Sequence, residues 1–212
     1  TQDNVPAVLH MAQSAQELGT ALADVIFGDY NPAGRTTQTW VRDILELPNM
    51  LDYDIRNGRT YMYYEGEPLY PFGHGLSYTT FEYGEATCRK SGKGFQVSVD
   101  VTNTGDREGK EIVQLYIGDE QAYLDRPVKE LKGFKKIHLE PGETKTVEFV
   151  IEPDMLKFFD DANFLACYGS VCRIIVTVIL KTCTVFFIIS CDNIHNFFYA
   201  INIFSIYAKL FA

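Results

Sequence analysis

Phe95-Gln-Val-Ser-Val-Asp-Val-Thr102 alternates apolar and polar side chains without a break and runs directly into Asn103-Thr-Gly105. A period of two puts Phe95, Val97, Val99 and Val101 on one face of a strand and Gln96, Ser98, Asp100 and Thr102 on the other, as in a strand half-buried in a sheet. The Asn and Gly that follow are turn residues. Further along, Val113, Leu115 and Ile117 repeat the pattern, Leu131 to Leu139 forms a looser run, and Val147, Phe149 and Ile151 follow a Pro141-Gly142 turn. Short alternating strands separated by turns predict an all-β antiparallel sandwich.

Upstream, the signals change. Val5 to Leu9 is a short apolar run that reads as the end of a strand, and Ser14-Ala-Gln-Glu17 has the reciprocal capping pattern that opens a helix. Leu18, Leu22, Val25 and Ile26 recur at helical spacing, so the helix is predicted to run to Phe27, with Gly28 as its stop. A strand followed by a helix suggests an α/β unit. From Asp29 to Leu76 the chain is dense in Gly, Pro and Asn-Gly punctuation, which predicts structured loop. Tyr61, Tyr63 and Tyr64 have two readings there, stacking on sugar rings or packing a domain junction.

The chain has 212 residues, 46% of them hydrophobic and 22% charged, enough apolar material for one or two packed domains. Its 28 acidic against 19 basic residues give a net charge of -9 with no basic stripe, which excludes an electrostatic nucleic-acid binder. The average hides a break. Residues 166–212 hold only four charged side chains, Arg173, Lys181, Asp192 and Lys209, together with four of the five Cys, whereas all eight Pro and 15 of the 16 Gly precede them. Cys167, Cys172, Cys183 and Cys191 follow no metal-ligand or disulfide-framework spacing, and Cys88 stands alone. No spacing in the chain suggests a metal, nucleotide or organic cofactor.

In order, Gly19-Thr-Ala-Leu-Ala-Asp-Val-Ile-Phe-Gly-Asp-Tyr-Asn-Pro-Ala-Gly-Arg35, then Pro68-Leu-Tyr-Pro-Phe-Gly-His-Gly-Leu-Ser-Tyr-Thr-Thr-Phe81, then Val113-Gln-Leu-Tyr116, Arg126-Pro-Val-Lys-Glu-Leu-Lys-Gly-Phe134 and Leu139-Glu-Pro-Gly-Glu-Thr144 resemble glycoside hydrolase family 3, the β-glucosidase and β-xylosidase type. The resemblance spans about residues 5 to 164. It implies a mixed α/β remnant at 1–76, the end of the family's α/β sandwich domain with its linking segment. At 77–165 it implies an immunoglobulin or fibronectin type III-like antiparallel sandwich, left incomplete. The family's full-length members carry a barrel, an α/β domain and the fibronectin-like domain, so the chain reads as a C-terminal piece whose partners are the missing barrel and α/β domains. By the same resemblance the parent's substrate is a carbohydrate and its compartment periplasmic or secreted.

After about Phe164 the resemblance stops, and a further turn and two closing strands would be expected of the family. Within 171–212, Ile, Phe, Asn, Lys and Tyr make up 22 of 42 residues, which resembles translation of AT-rich non-coding or frame-shifted sequence. The segment 166–212 is therefore read as an anomalous tail, the product of a gene-model or frameshift artefact. Two other readings stand beside it. Residues 171–191 approach the length of a membrane span, with Lys181 costing about 2.5–3.5 kcal/mol near its centre. Alternatively, Ile174 to Leu180 and Val185 to Ser190 serve as substitute strands that close the sandwich edge.

Retaining glycoside hydrolysis needs a carboxylate nucleophile and a carboxylic acid about 5 Å apart. The resemblance implies that both precede Thr1, so no catalytic, cofactor-binding or metal-binding residue is assigned in this chain, which is expected to be structural and inert alone. Asp52 with Asp54, and Glu65 with Glu67, read as solvated loop charges. Asp24 and Asp29 read as capping, turn and charge-pairing groups near Asn31 and Arg35, and His74 as a turn residue between Gly73 and Gly75, whose backbones are expected to need angles closed to other residues. A different class of function is a stand-alone sandwich that binds carbohydrate or protein without chemistry; the leading stretch Val5 to Phe81 argues against it.

Overall fold

The computed structural model describes residues 4–11, 16–92, 94–119 and 124–159, together with the strand backbones at 165–167, 172–177 and 187–189. Among the described residues one α-helix, α1 (Leu18–Phe27), precedes ten strands. These are β1 (Phe81–Tyr83), β2 (Thr87–Ser91), β3 (Gly94–Asn103), β4 (Gly109–Asp119), β5 (Glu130–Leu139), β6 (Thr144–Ile151), β7 (Lys157–Phe159), β8 (Leu165–Cys167), β9 (Cys172–Thr177) and β10 (Phe187–Ile189).

The alternating stretch forms β3, the centre of the first sheet. It pairs antiparallel with β6 from Phe95↔Ile151 to Thr102↔Thr144, and with both β1 and β2. The second sheet has the order β10-β9-β4-β5, and β7 and β8 make a separate two-stranded ladder. Between the two large sheets lie Val97, Val99 and Val101 of β3, Val113, Leu115 and Ile117 of β4, and Val147, Phe149 and Ile151 of β6. These are the residues whose period of two selects them. Fully burying one such side chain contributes about 1.5–3 kcal/mol, so this set dominates the stability of the sandwich.

The looseness of the Leu131–Leu139 run has a local cause. The ladder between β4 and β5 shifts register between Leu115 and Tyr116, where Leu115 faces Gly133 and Tyr116 faces Leu131. The extra residue reverses the inward parity, and a period of two cannot survive such a bulge. C-terminal to the bulge the ordinary alternation holds, with Phe134 opposite Gln114 and exposed on the outer face and Leu139 fully buried.

Three local expectations differ in outcome. Gly28 ends α1 as predicted, at φ +84° with its N–H donating to the Val25 carbonyl. The helix start moves: Glu17 is itself the cap residue and its carboxylate accepts from Thr20 Oγ1 at 3.0 Å, while Ser14 lies outside the described residues. Val5 to Leu9 joins no ladder among the described residues, and Val5, Val8 and Leu9 are exposed, as are Leu18, Ile26 and Phe27 of α1. The strand expected there has no described neighbour to pair with, and the apolar face of α1 has no described layer to pack on.

The region after 165 contributes strands. β9 pairs with β4 from Gln114↔Thr177 to Asp119↔Cys172, and β10 pairs with β9. These overlap the two stretches read as substitute strands. The other residues of 171–191, the candidate membrane span, lie outside those described. Among the described residues no helix is long and apolar enough to cross a membrane.

Candidate functional site

The loop from Asp29 to Thr80 is held against β4 by polar and aromatic contacts, and Asn31, Arg35, Tyr61 and Gly73 meet it there. Asn31, just after α1, does the first part of this work. Its Oδ1 accepts from Ser77 Oγ and from the Tyr78 N–H, both at 2.8 Å, and its Nδ2 donates to the Glu108 carbonyl at 2.8 Å. One side chain thereby ties α1's exit, the linking segment and the entry to β4.

Arg35 follows on the same loop. Its guanidinium donates to Glu111 at 2.5 Å, with both side chains only 10% exposed, and the Tyr83 hydroxyl donates to the other Glu111 oxygen at 3.0 Å. Burial pushes the Glu111 carboxyl upward, against the pull of Arg35 and Tyr83, and burial beside Glu111 drives the Tyr83 phenol far upward. The charge pairing expected around Arg35 therefore exists, but Glu111 is its partner instead of Asp24 or Asp29. Asp24 takes part through its backbone carbonyl, which accepts from the Tyr30 N–H at 3.0 Å.

Gly73 and Gly75 have different reasons to be glycine. Gly73 sits at φ +81°, and a Cβ there would meet Gln114 Oε1. Gly75 lacks a positive φ, contrary to the sequence expectation; its constraint is the Gly34 carbonyl, which a Cβ would strike. Between them His74 accepts from the Thr36 N–H through its carbonyl at 2.8 Å and lies 5.2 Å from the Tyr70 ring. Burial and the nearby Arg35 hold its imidazole below the ordinary histidine range. The turn reading of His74 accounts for all of these contacts.

The second face of β4 is covered by the same loop. Gln114 donates to the Gly73 carbonyl at 3.2 Å and accepts from the buried Tyr116 hydroxyl at 2.5 Å. Tyr61 stacks on Phe72 at 4.2 Å, meets Tyr116 edge-on at 6.0 Å, and accepts the Leu131 N–H at 3.0 Å. The three tyrosines of the sequence thus divide. Tyr61 packs the junction, whereas Tyr63 and Tyr64 line a cleft of about 620 Å³ with Arg42, Glu46, Arg56 and Arg126. All three lie in or beside a turn instead of an extended run.

The carboxylate pairs behave as loop charges. Asp54 chelates Arg56, whose hydrogen bonds hold it below the usual carboxylate range, and Asp52 accepts from the Asp54 N–H at 3.0 Å and from Asn57 Nδ2 at 2.7 Å. Glu67 reaches Arg42 at 3.5 Å on the surface. Glu111, Gln114 and Tyr83 were missed in the sequence. One signal was present: Glu111 shares the inward parity of Val113, Leu115 and Ile117, and a charge on that face demands a buried partner. Chemically the junction neutralises its own charges and, among the described residues, offers no nucleophile with an orienting base. Elsewhere among the described residues, Glu108, His138 and Glu140 bring three ligand atoms within 4.8 Å of one another.

Comparison with known proteins finds two family models in the chain. The family model of the glycosyl hydrolase family 3 C-terminal domain matches residues 1–78, and that of the fibronectin type III-like domain matches 111–167. The chain is 42% identical over 160 residues to a xylan 1,4-β-xylosidase of Xylanibacter ruminicola, covering 74% of this chain and 18% of that protein. It is 43% identical over 171 residues to a periplasmic β-glucosidase of Salmonella typhimurium, covering 73% and 22%. Among solved structures, the β-glucosidase of Kluyveromyces marxianus in complex with glucose superposes with a TM-score of 0.70 at 37% identity, covering 76% of this chain and 21% of that one. The β-glucosidase of Bifidobacterium adolescentis gives 0.69 at 32% identity, covering 75% and 26%. The chain spans about a fifth of the length of the curated relatives it matches.

Proposed function

The chain belongs to glycosyl hydrolase family 3, and from that premise we propose that it is the C-terminal part of a retaining hydrolase of terminal β-linked glucosides or xylosides. In this reading residues 1–76 complete the parent's α/β domain, 77–165 form the fibronectin-like sandwich, and the catalytic carboxylates belong to the upstream barrel and α/β domains. The observation that carries the reading is the Arg35–Glu111–Tyr83 cluster: an ion pair with both side chains only 10% exposed ties the loop to the sandwich. A stand-alone binding module would have no use for a junction of this kind.

Residues 166–212 are read as sequence foreign to the family, with β9 and β10 occupying the open edge of β4 in place of the family's own closing pair. An occupied edge also removes a template for aggregation.

Two measurements test the proposal. The purified 212-residue chain is expected to give no turnover of aryl β-glucosides or β-xylosides; saturable turnover would overturn the structural role. The native product in the source cells is expected to be several-fold heavier than 24.1 kDa, to contain peptide Glu67 to Phe81, to lack tail peptides, and to turn over those substrates. A native product of 24.1 kDa containing Cys183 to Tyr199 would sink the reading of the tail and of the missing domains.

A further inference from the structure

The pair Gly109↔Leu139 at the end of the β4–β5 ladder is buried, but on the opposite face the imidazole of His138 meets two carboxylates. The register Gly109↔Leu139 and Lys110↔His138 puts Glu108 opposite Glu140, and His138 and Glu140, two residues apart on one strand, share a face. His138 Nε2 lies 3.0 Å from Glu140 Oε1 and 3.7 Å from Glu108 Oε2, and all three ligand atoms fall within 4.8 Å of one another. Like charges directly opposite each other across an antiparallel pair are destabilising, so the Glu108/Glu140 arrangement favours a cation between them.

From this geometry we propose that Glu108, His138 and Glu140 form a divalent-metal site for zinc or a similar borderline ion, with water completing the coordination. Tetrahedral zinc with bonds of about 2.0–2.2 Å keeps its ligand atoms about 3.3–3.5 Å apart, and the two observed separations from His138 bracket that spacing. One imidazole nitrogen with two carboxylate oxygens is a donor set suited to zinc, whereas magnesium and calcium favour oxygen alone. Coordination through Nε2 assigns the ring proton to Nδ1.

The three backbones are held by separate contacts, so only the exposed side chains must order on binding. Asn31 holds the Glu108 carbonyl at 2.8 Å, Lys145 Nζ donates to the His138 carbonyl at 2.6 Å, and the Glu140 N–H donates to Glu143 at 2.8 Å. The nearby ammonium of Lys145 is matched by Glu143 at 3.0 Å. The side chains of Glu108, His138 and Glu140 are 69%, 40% and 61% exposed, which leaves the outer coordination positions open to water. The site lies apart from the Arg35–Glu111–Tyr83 cluster, and it does not depend on what the parent enzyme hydrolyses.

The test is a Zn²⁺ titration of the full 212-residue chain, read by NMR at the ring nitrogens of its four histidines, which separates imidazole ligation from capture by the five cysteines. Near-stoichiometric Zn²⁺ is expected to shift Nε2 of His138. Glu108→Gln or Glu140→Gln should each raise the concentration required by at least about tenfold. A His138 resonance that stays unmoved in excess Zn²⁺ would overturn the site, as would a shift indifferent to both glutamine variants. Because the first of these is read on the unaltered chain, a misfolded variant cannot shelter the proposal, and glycosidase assays of the longer protein are unaffected by either result.

Discussion

Replacing Gly73 by Ala tests whether the linking loop is keyed into the sandwich. Two effects add. At φ +81° a Cβ meets the backbone clash that disfavours left-handed residues, costing about 1–2 kcal/mol. The new Cβ also falls on Gln114 Oε1, and although a glutamine terminus can swing aside, this one is 5% exposed and bonded to both the Gly73 carbonyl and the Tyr116 hydroxyl. Moving it leaves buried polar groups unpaired, a further cost of about 1–3 kcal/mol. The expected loss is about 2–5 kcal/mol. Gly142→Ala supplies the control: Gly142 has φ +74° and nothing within 4 Å of the place its Cβ would take, so only the backbone cost of about 1–2 kcal/mol applies. Urea unfolding of both variants, followed by fluorescence, gives the difference. If Gly73→Ala proves no worse than Gly142→Ala, or if its loss simply adds to that of Gln114→Ala, the keyed contact does not exist.

Other expectations follow from the same contacts. Arg35→Met strands the buried Glu111 carboxylate and should cost about 3–5 kcal/mol in chemical unfolding, most of it recovered when Glu111→Leu is added. Leu115→Ala opens the sandwich core at a fully buried position and should cost about 2–5 kcal/mol by the same assay. His74, whose folded value lies below the ordinary 6.5, binds fewer protons folded than unfolded, so the stability it supports is complete above about pH 6.5 and declines as pH falls below it. The pH dependence of the urea midpoint over that range should flatten in His74→Gln; an unchanged profile would place the titration elsewhere.

Much of the sandwich was legible from the chain because a strand buried on one face writes its orientation as a period of two. Val97, Val99, Val101, Val147, Phe149 and Ile151 were selected by that rule and all lie in the core. The rule weakened where geometry broke the period, at the β4–β5 bulge, and where a strand was covered on both faces. Gln114 and Tyr116 stand at polar-side positions of β4 yet are buried, because the loop carrying Gly73, Tyr61 and Phe72 lies over them. No local pattern announces that a distant loop will cover a strand's outer face.

The sequence by itself determined the strand periodicity, the Gly28 stop of the helix, the order of the family motifs and the break in composition at residue 166. Each of these depends on neighbours within a few residues or on composition alone. Tertiary structure decided which charge answers Arg35, why Gly75 must be glycine without a positive φ, which of the three tyrosines packs on Tyr116, and that Glu108 meets His138 and Glu140. Those outcomes bring together residues some 30 to 76 positions apart, and the cost of burying a charge or crowding a backbone is set by what arrives from the far part of the chain.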